Sequence, residues 1–137
     1  IMQKILCYLI FIFGLVLLAC DKNDVDSIPY NENNLLLGTW VELSQNDQEV
    51  TYQRVLAIPE DSPGFKFYEG GVFLNKANCG FCGTPPISYC NYDGTWNAIS
   101  EKIIELNVAF WGGENYIKME VVSLTEKELK VIYIRNK

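Results

Sequence analysis

Histidine is absent from all 137 residues. Its absence removes the commonest general base and the commonest metal ligand together. Lysine and arginine total 11 against 17 acidic residues, and they cluster nowhere. Without a cationic footprint the chain would repel a phosphate backbone, which speaks against a nucleic-acid partner. No glycine-rich phosphate loop is present, because Gly70-Gly71 and Gly112-Gly113 stand where turns are expected. Hydrophobic runs are equally scarce: one long run lies at the N-terminus, and past residue 34 almost nothing recurs at helical spacing.

The one long run extends from Ile5 to Leu18, behind Lys4 and just after Met2, the expected start. Its fourteen residues would span about 21 Å as a helix, short of the roughly 30 Å hydrocarbon core. It has no polar face, so it reads as a secretory signal rather than as a buried helix or a membrane span. Leu17-Leu18-Ala19-Cys20 resembles the lipobox of bacterial lipoproteins. That resemblance implies cleavage after Ala19 and acylation of Cys20 with palmitate-class chains. Each buried methylene contributes about 0.8 kcal/mol, so two or three such chains hold a protein to a bilayer without a transmembrane helix.

Residues 20–34, rich in Asn and Asp and broken by Pro29, cannot bury enough apolar surface to offset their conformational entropy and read as a tether. Acidic residues after an acylated cysteine resemble surface-export signals in one group of Gram-negative bacteria. An aspartate in the place of Asp21 resembles an inner-membrane retention signal in others. The expected address is the cell envelope, by preference the outer membrane, at its periplasmic face or the cell surface. Loss of residues 1–19 removes Lys4 and no acid, taking the formal charge from −6 to −7. Such acidity reads as a solubility device before it reads as a binding face.

Residues 35–137 are enough for one domain with a modest core. Ile104, Leu106, Val108 and Phe110 alternate with Glu105 and Asn107, the pattern of a half-buried strand over 103–110. Ile117, Met119 and Val121 alternate with Lys118 and Glu120, and Thr125-Glu126-Lys127 turns the chain into a last strand over 128–134. Further strands are expected at 39–44, 50–58, 65–68, 72–76 and 94–100, separated by turn signals such as Glu69-Gly70-Gly71. About eight short antiparallel strands in an all-β meander close most naturally into a barrel, which removes exposed edges. A β-sandwich is the alternative.

Leu37-Gly38-Thr39-Trp40 is similar to the Gly-x-Trp signature that opens the first strand of lipocalins. The stretch at 82–86, Tyr92-Asp93-Gly94-Thr95-Trp96 and Ser123-Leu124-Thr125 look like the lipocalin-like domain of small bacterial lipoproteins. The resemblance implies that Trp40 closes the barrel bottom beneath an arginine from near the chain end, for which Arg135 is the matching candidate. It does not imply a ligand, because a small eight-stranded barrel can be filled completely by its own side chains.

Three cysteines fall within Asn78 to Cys90. A zinc knuckle of Cys79, Cys82 and Cys90 would have only Asp93 nearby as a fourth ligand, an uncommon set, and no metal or other cofactor is expected. A thioredoxin-like centre needs a helix at its Cys-x-x-Cys, and Gly83-Thr84-Pro85-Pro86 cannot begin one. In an exported domain a disulfide persists. Cys79 with Cys90 is the favoured pairing and Cys82 with Cys90 the alternative, while Cys79 with Cys82 closes too tight a ring.

Acid pairs are the remaining catalytic candidates, Glu60-Asp61 and Glu101 with Glu105, and acids in such places are ordinarily just solvated; the expectation is no enzyme. Phe81, Tyr92, Trp96 and Trp111 could line an open barrel end as ligand or partner contacts, or could form the core. The expected function is therefore a lipid-anchored, non-catalytic envelope protein. It would bind a small apolar molecule within the barrel, or dock an envelope protein from a filled one. An enzyme inhibitor is a more distant alternative.

Overall fold

The computed structural model describes residues 34–80 and 83–134; the N-terminal run, Cys20, Phe81, Cys82 and Arg135 lie outside them. Eight strands follow in order: β1 Gly38–Asn46, β2 Glu49–Val55, β3 Gly64–Phe67, β4 Val72–Asn78, β5 Tyr89–Ala98, β6 Ile103–Phe110, β7 Gly113–Leu124 and β8 Glu128–Ile134. They form a closed antiparallel barrel, and the sandwich alternative falls. Closure leaves no strand with a free edge, which in a small all-β domain guards against edge-to-edge association.

The strand order has one feature that periodicity does not carry. From β3 to β8 the chain is an up-and-down meander, but the ring runs β1-β2-β8-β7-β6-β5-β4-β3 and closes through β3 against β1. The first hairpin therefore sits reversed, with β2 beside β8 and β1 beside β3. To allow this, residues 56–63 leave the sheet after Val55 and pass outside β1, so β2 ends three residues sooner than the apolar pattern suggests. Gly64, where β3 begins, lies under this crossing: a Cβ there would sit 2.8 Å from the Trp40 carbonyl oxygen and 3.0 Å from Ile58 Cγ2.

Short turns join the hairpins. Asp47 adopts φ 51° in the β1–β2 turn, and Gly70 and Gly71 adopt φ 70° and 79° between β3 and β4, a left-handed pair that side chains disfavour. The β7–β8 turn is held by Thr125, whose Oγ1 accepts from the amides of Lys127 and Glu128. In the β5–β6 turn Ser100 Oγ accepts from the amides of Lys102 and Ile103. Register shifts at Glu42/Ser44 and Val121/Ser123 mark bulges. These turn Leu43 and Val122 out to solvent.

Inward positions fill the barrel. Trp40, Phe67, Met119, Leu129 and Val131 are the largest fully buried side chains. Tyr52, Phe65, Phe67, Phe73 and Trp96 form a chain of ring contacts with centroids 4.7 to 5.6 Å apart, mostly edge-to-face. Each buried large side chain contributes about 1.5–3 kcal/mol by leaving water, and well-set ring pairs add about 0.5–1.5 kcal/mol. This aromatic line is the core of the domain. Trp96 belongs to it, 3% exposed, with its indole N–H donating to the Tyr68 carbonyl at 2.9 Å.

The line needs one gap. Gly94 pairs with Phe73 on one side and Val108 on the other, and a Cβ on it would stand 2.6 Å from the Asn107 carbonyl oxygen. Since the obstacle is backbone, Gly94→Val is expected to destabilise the barrel by about 3 kcal/mol or more, measured as a lowered urea midpoint; an unchanged midpoint would contradict this packing.

Candidate functional site

The strand directions define two ends. One gathers the start of β1, the end of β2 and the β3–β4, β5–β6 and β7–β8 turns; the other gathers the β1–β2 and β6–β7 turns, the 79–88 connection and the end of β8.

The first end is sealed. Trp40 is 0% exposed and donates its indole N–H to the Leu36 carbonyl at 2.9 Å. Over its ring, 4.3 Å from the centroid, lies the guanidinium of Arg54. The arginine that the lipocalin resemblance assigns to Arg135 is thus supplied by β2. The reason is register: Arg54 stands directly opposite Trp40 on the β1–β2 ladder. Sequence reasoning passed over it because an arginine inside an apolar strand pattern looks like an outward residue. Arg54 also donates to the carbonyls of Leu35, Leu37 and Glu126, and burial lowers its pKa from the free value. Gly38, at φ 130°, leaves the passage that the guanidinium needs, since a Cβ there would run into Nη1.

The opposite end is a rim of a different kind. The disulfide joins Cys79 and Cys90, with Cα atoms 4.9 Å apart, so the favoured pairing is the one formed. It ties the end of β4 to the start of β5, next to the ladder pair Ala77–Cys90. Two of three sulfurs are thereby withdrawn from any metal. β5 begins at Tyr89, five residues ahead of the expected start, and its ladder with β4 runs through the cross-link. Tyr92 is half-buried and donates its hydroxyl to the Asn78 carbonyl at 3.0 Å. Two residues past the last β5–β6 ladder pair, the same register sets Tyr92 opposite Phe110.

Phe110 and Trp111 form the tip of the β6–β7 hairpin in edge-to-face contact at 5.8 Å. Trp111 is 53% exposed and Phe110 36%. Across the rim, Gln45, Asp47, Gln48, Val50, Ile132, Tyr133 and Ile134 line a groove of about 460 Å³ of mixed polar and apolar character. Of the expected contact residues, Trp111 and Tyr92 stand at this rim, while Trp96 is buried in the other half of the barrel and makes no surface. Phe81 is outside the described residues.

Inside the rim, the hydroxyls of Tyr52 and Tyr133 share a 2.6 Å hydrogen bond. Burial first, then the Tyr133 hydroxyl and the Glu42 carboxylate, push the Tyr52 pKa far above the ordinary tyrosine range. The acids considered for catalysis are dispersed: Glu60 and Asp61 lie exposed in the 56–63 crossing, Glu101 is exposed in the β5–β6 turn, and Glu105 is bound to Lys118 at 2.9 Å.

Comparison with protein-family models, with curated proteins and with solved structures gave no match.

Arg54→Met should cost about 1–3 kcal/mol, because it removes a cation–π contact and charge-assisted hydrogen bonds at once; denaturant unfolding checks this. For Tyr52 the sign is set by the raised pKa: the folded state holds the phenolic proton more tightly, so its contribution is complete below the free-tyrosine pKa of about 10 and is lost as pH rises beyond it. Thermal unfolding from pH 8 to 11 should show an alkaline fall in Tm that is shallower in Tyr52→Phe.

Proposed function

We propose that the chain is a lipid-anchored protein of the cell envelope, non-catalytic, whose filled barrel serves as a rigid mount for the aromatic rim, and that the rim docks another envelope protein. One observation carries the reading. The described chain enters at the sealed end, at Asn34 to Gly38, and Trp111, Phe110, Tyr92 and the groove beside Tyr133 lie at the opposite end. An anchor on Cys20 followed by a tether to residue 34 would attach the domain by its sealed end and leave the rim free. Exposed Trp111 and Phe110, with half-buried Tyr92 and a mixed polar groove across the same rim, supply the rigid, large-area anchors that protein interfaces favour. The interior supports this reading over a small apolar ligand held within, since the inward positions are occupied by Trp40, Phe67, Phe73, Trp96, Met119 and Leu129.

Two measurements test it. Cys20→Ala should move the chain from the membrane fraction to the soluble fraction and abolish labelling by an alkyne-palmitate analogue. An unlabelled wild-type chain would remove the anchor from the proposal. A benzophenone amino acid replacing Trp111 should give a discrete cross-linked protein band in intact cells, whereas the same probe replacing Glu120 on the barrel wall should not. Bands of equal strength at both positions, or none at 111, would end the rim reading.

A further inference from the structure

On the outside of β5, β6 and β7 the ladder lines up two short rows of side chains. Thr95 stands opposite Asn107 and Asn107 opposite Tyr116; Asn97 stands opposite Glu105 and Glu105 opposite Lys118. Tyr116 is 53% exposed. Its hydroxyl lies toward the Glu105 carboxylate, which Lys118 meets at 2.9 Å, and these two neighbours hold the Glu105 pKa below its ordinary value. Tyr116 therefore stands diagonally across the β6–β7 pair from Glu105, with about half of its surface open to solvent. Diagonal neighbours on a sheet lie within reach of long and aromatic side chains, so this arrangement is unstrained.

Beside the ring the surface is concave. Gly70, Gly71, Thr95, Asn97, Glu105, Asn107 and Tyr116 line most of a groove of about 370 Å³, at the small end of the roughly 300–1,000 Å³ that ligand sites occupy. The Gly70-Gly71 turn keeps one wall low, since nothing lies within 4 Å of a Cβ placed on Gly70. Thr95, Asn97 and Asn107 are exposed and offer both donors and acceptors. Lys118, just outside the groove, neutralises Glu105, the one ionised side chain in its lining.

We propose that this face binds a neutral oligosaccharide, one pyranose ring stacking on Tyr116 and its hydroxyls pairing with Thr95, Asn97, Asn107 and Glu105. The chemistry selects that class. A pyranose has an apolar face that suits an aromatic platform and a perimeter of hydroxyls that are donors and acceptors at once, as the three neutral polar side chains are. A phosphorylated or acidic ligand would need a cation that Glu105 has not already engaged.

The test uses the full chain in a zwitterionic, sugar-free detergent, titrated with cellohexaose, maltohexaose, mannohexaose and chitohexaose while saturation-transfer NMR and tyrosine fluorescence are followed. At least one hexasaccharide should saturate with a Kd of about 1 mM or tighter, and Tyr116→Ala should weaken it about tenfold or more. Asn107→Ala should weaken it several-fold. Trp111→Ala should leave it unchanged, which separates this face from the rim. All variants should keep the wild-type unfolding midpoint, because every altered side chain is exposed. No saturation by any of the four sugars, or equal affinity in wild type and Tyr116→Ala, would overturn the proposal.

Discussion

Arg54 sits over the ring of Trp40 and hands its donors to the carbonyls of Leu35, Leu37 and Glu126. One side chain on β2 thereby gathers the entry to β1, the tryptophan that plugs the barrel and the turn between the last two strands. A guanidinium is suited to this, because its planar fork can stack on an aromatic ring while still donating in several directions. Even half-buried, a cation does best with every donor partnered, so the geometry around it leaves little freedom. The indole N–H on the Leu36 carbonyl and the side-chain-free passage at Gly38 belong to the same arrangement. The sealed end is specified by a handful of mutually dependent groups.

Because the interior is filled, surface features carry whatever recognition the domain performs. A barrel of this size has room for its own side chains or for a ligand, and the line from Tyr52 through Phe65, Phe67 and Phe73 to Trp96 has taken that room. The rigidity that results has a use of its own, since a side chain on a rigid support loses less entropy when it docks. Trp111 stands on a two-residue turn between long paired strands and not on a long loop.

The alternation of Ile104, Leu106 and Val108 with Glu105 and Asn107 made β6 legible in the sequence, and the same period gave β7 and β8. The barrel followed from strand count and length. The disulfide was legible because the spacing of Cys79 and Cys90 suits the two ends of a hairpin-like connection. Strand order was not, because pairing β2 with β8 and not with β3 depends on residues 56–63 crossing outside β1, and a period of two is blind to which neighbour a strand takes. Arg54 was missed for a related reason: its inward direction follows from register against Trp40, which no window of β2 alone contains. The division of aromatics between core and rim also required the fold: Trp96 falls in an expected strand and Trp111 beside an expected turn, but whether Trp96 faced in or out depended on register, which the sequence does not carry.

The reversed first hairpin also bears on how the chain assembles. Among themselves the six strands from β3 to β8 pair only with sequence neighbours and so form through short loop closures. The first hairpin completes the ring by joining β2 to β8, linking residues near 50 to residues near 130, and by laying β1 against β3. Long-range closure carries the larger entropic cost and comes after the local pairings that offset it. The first segment of the domain to be synthesised is thus the last to be built in, a keystone that waits for the arch. Until it docks, β3 and β8 are open edges.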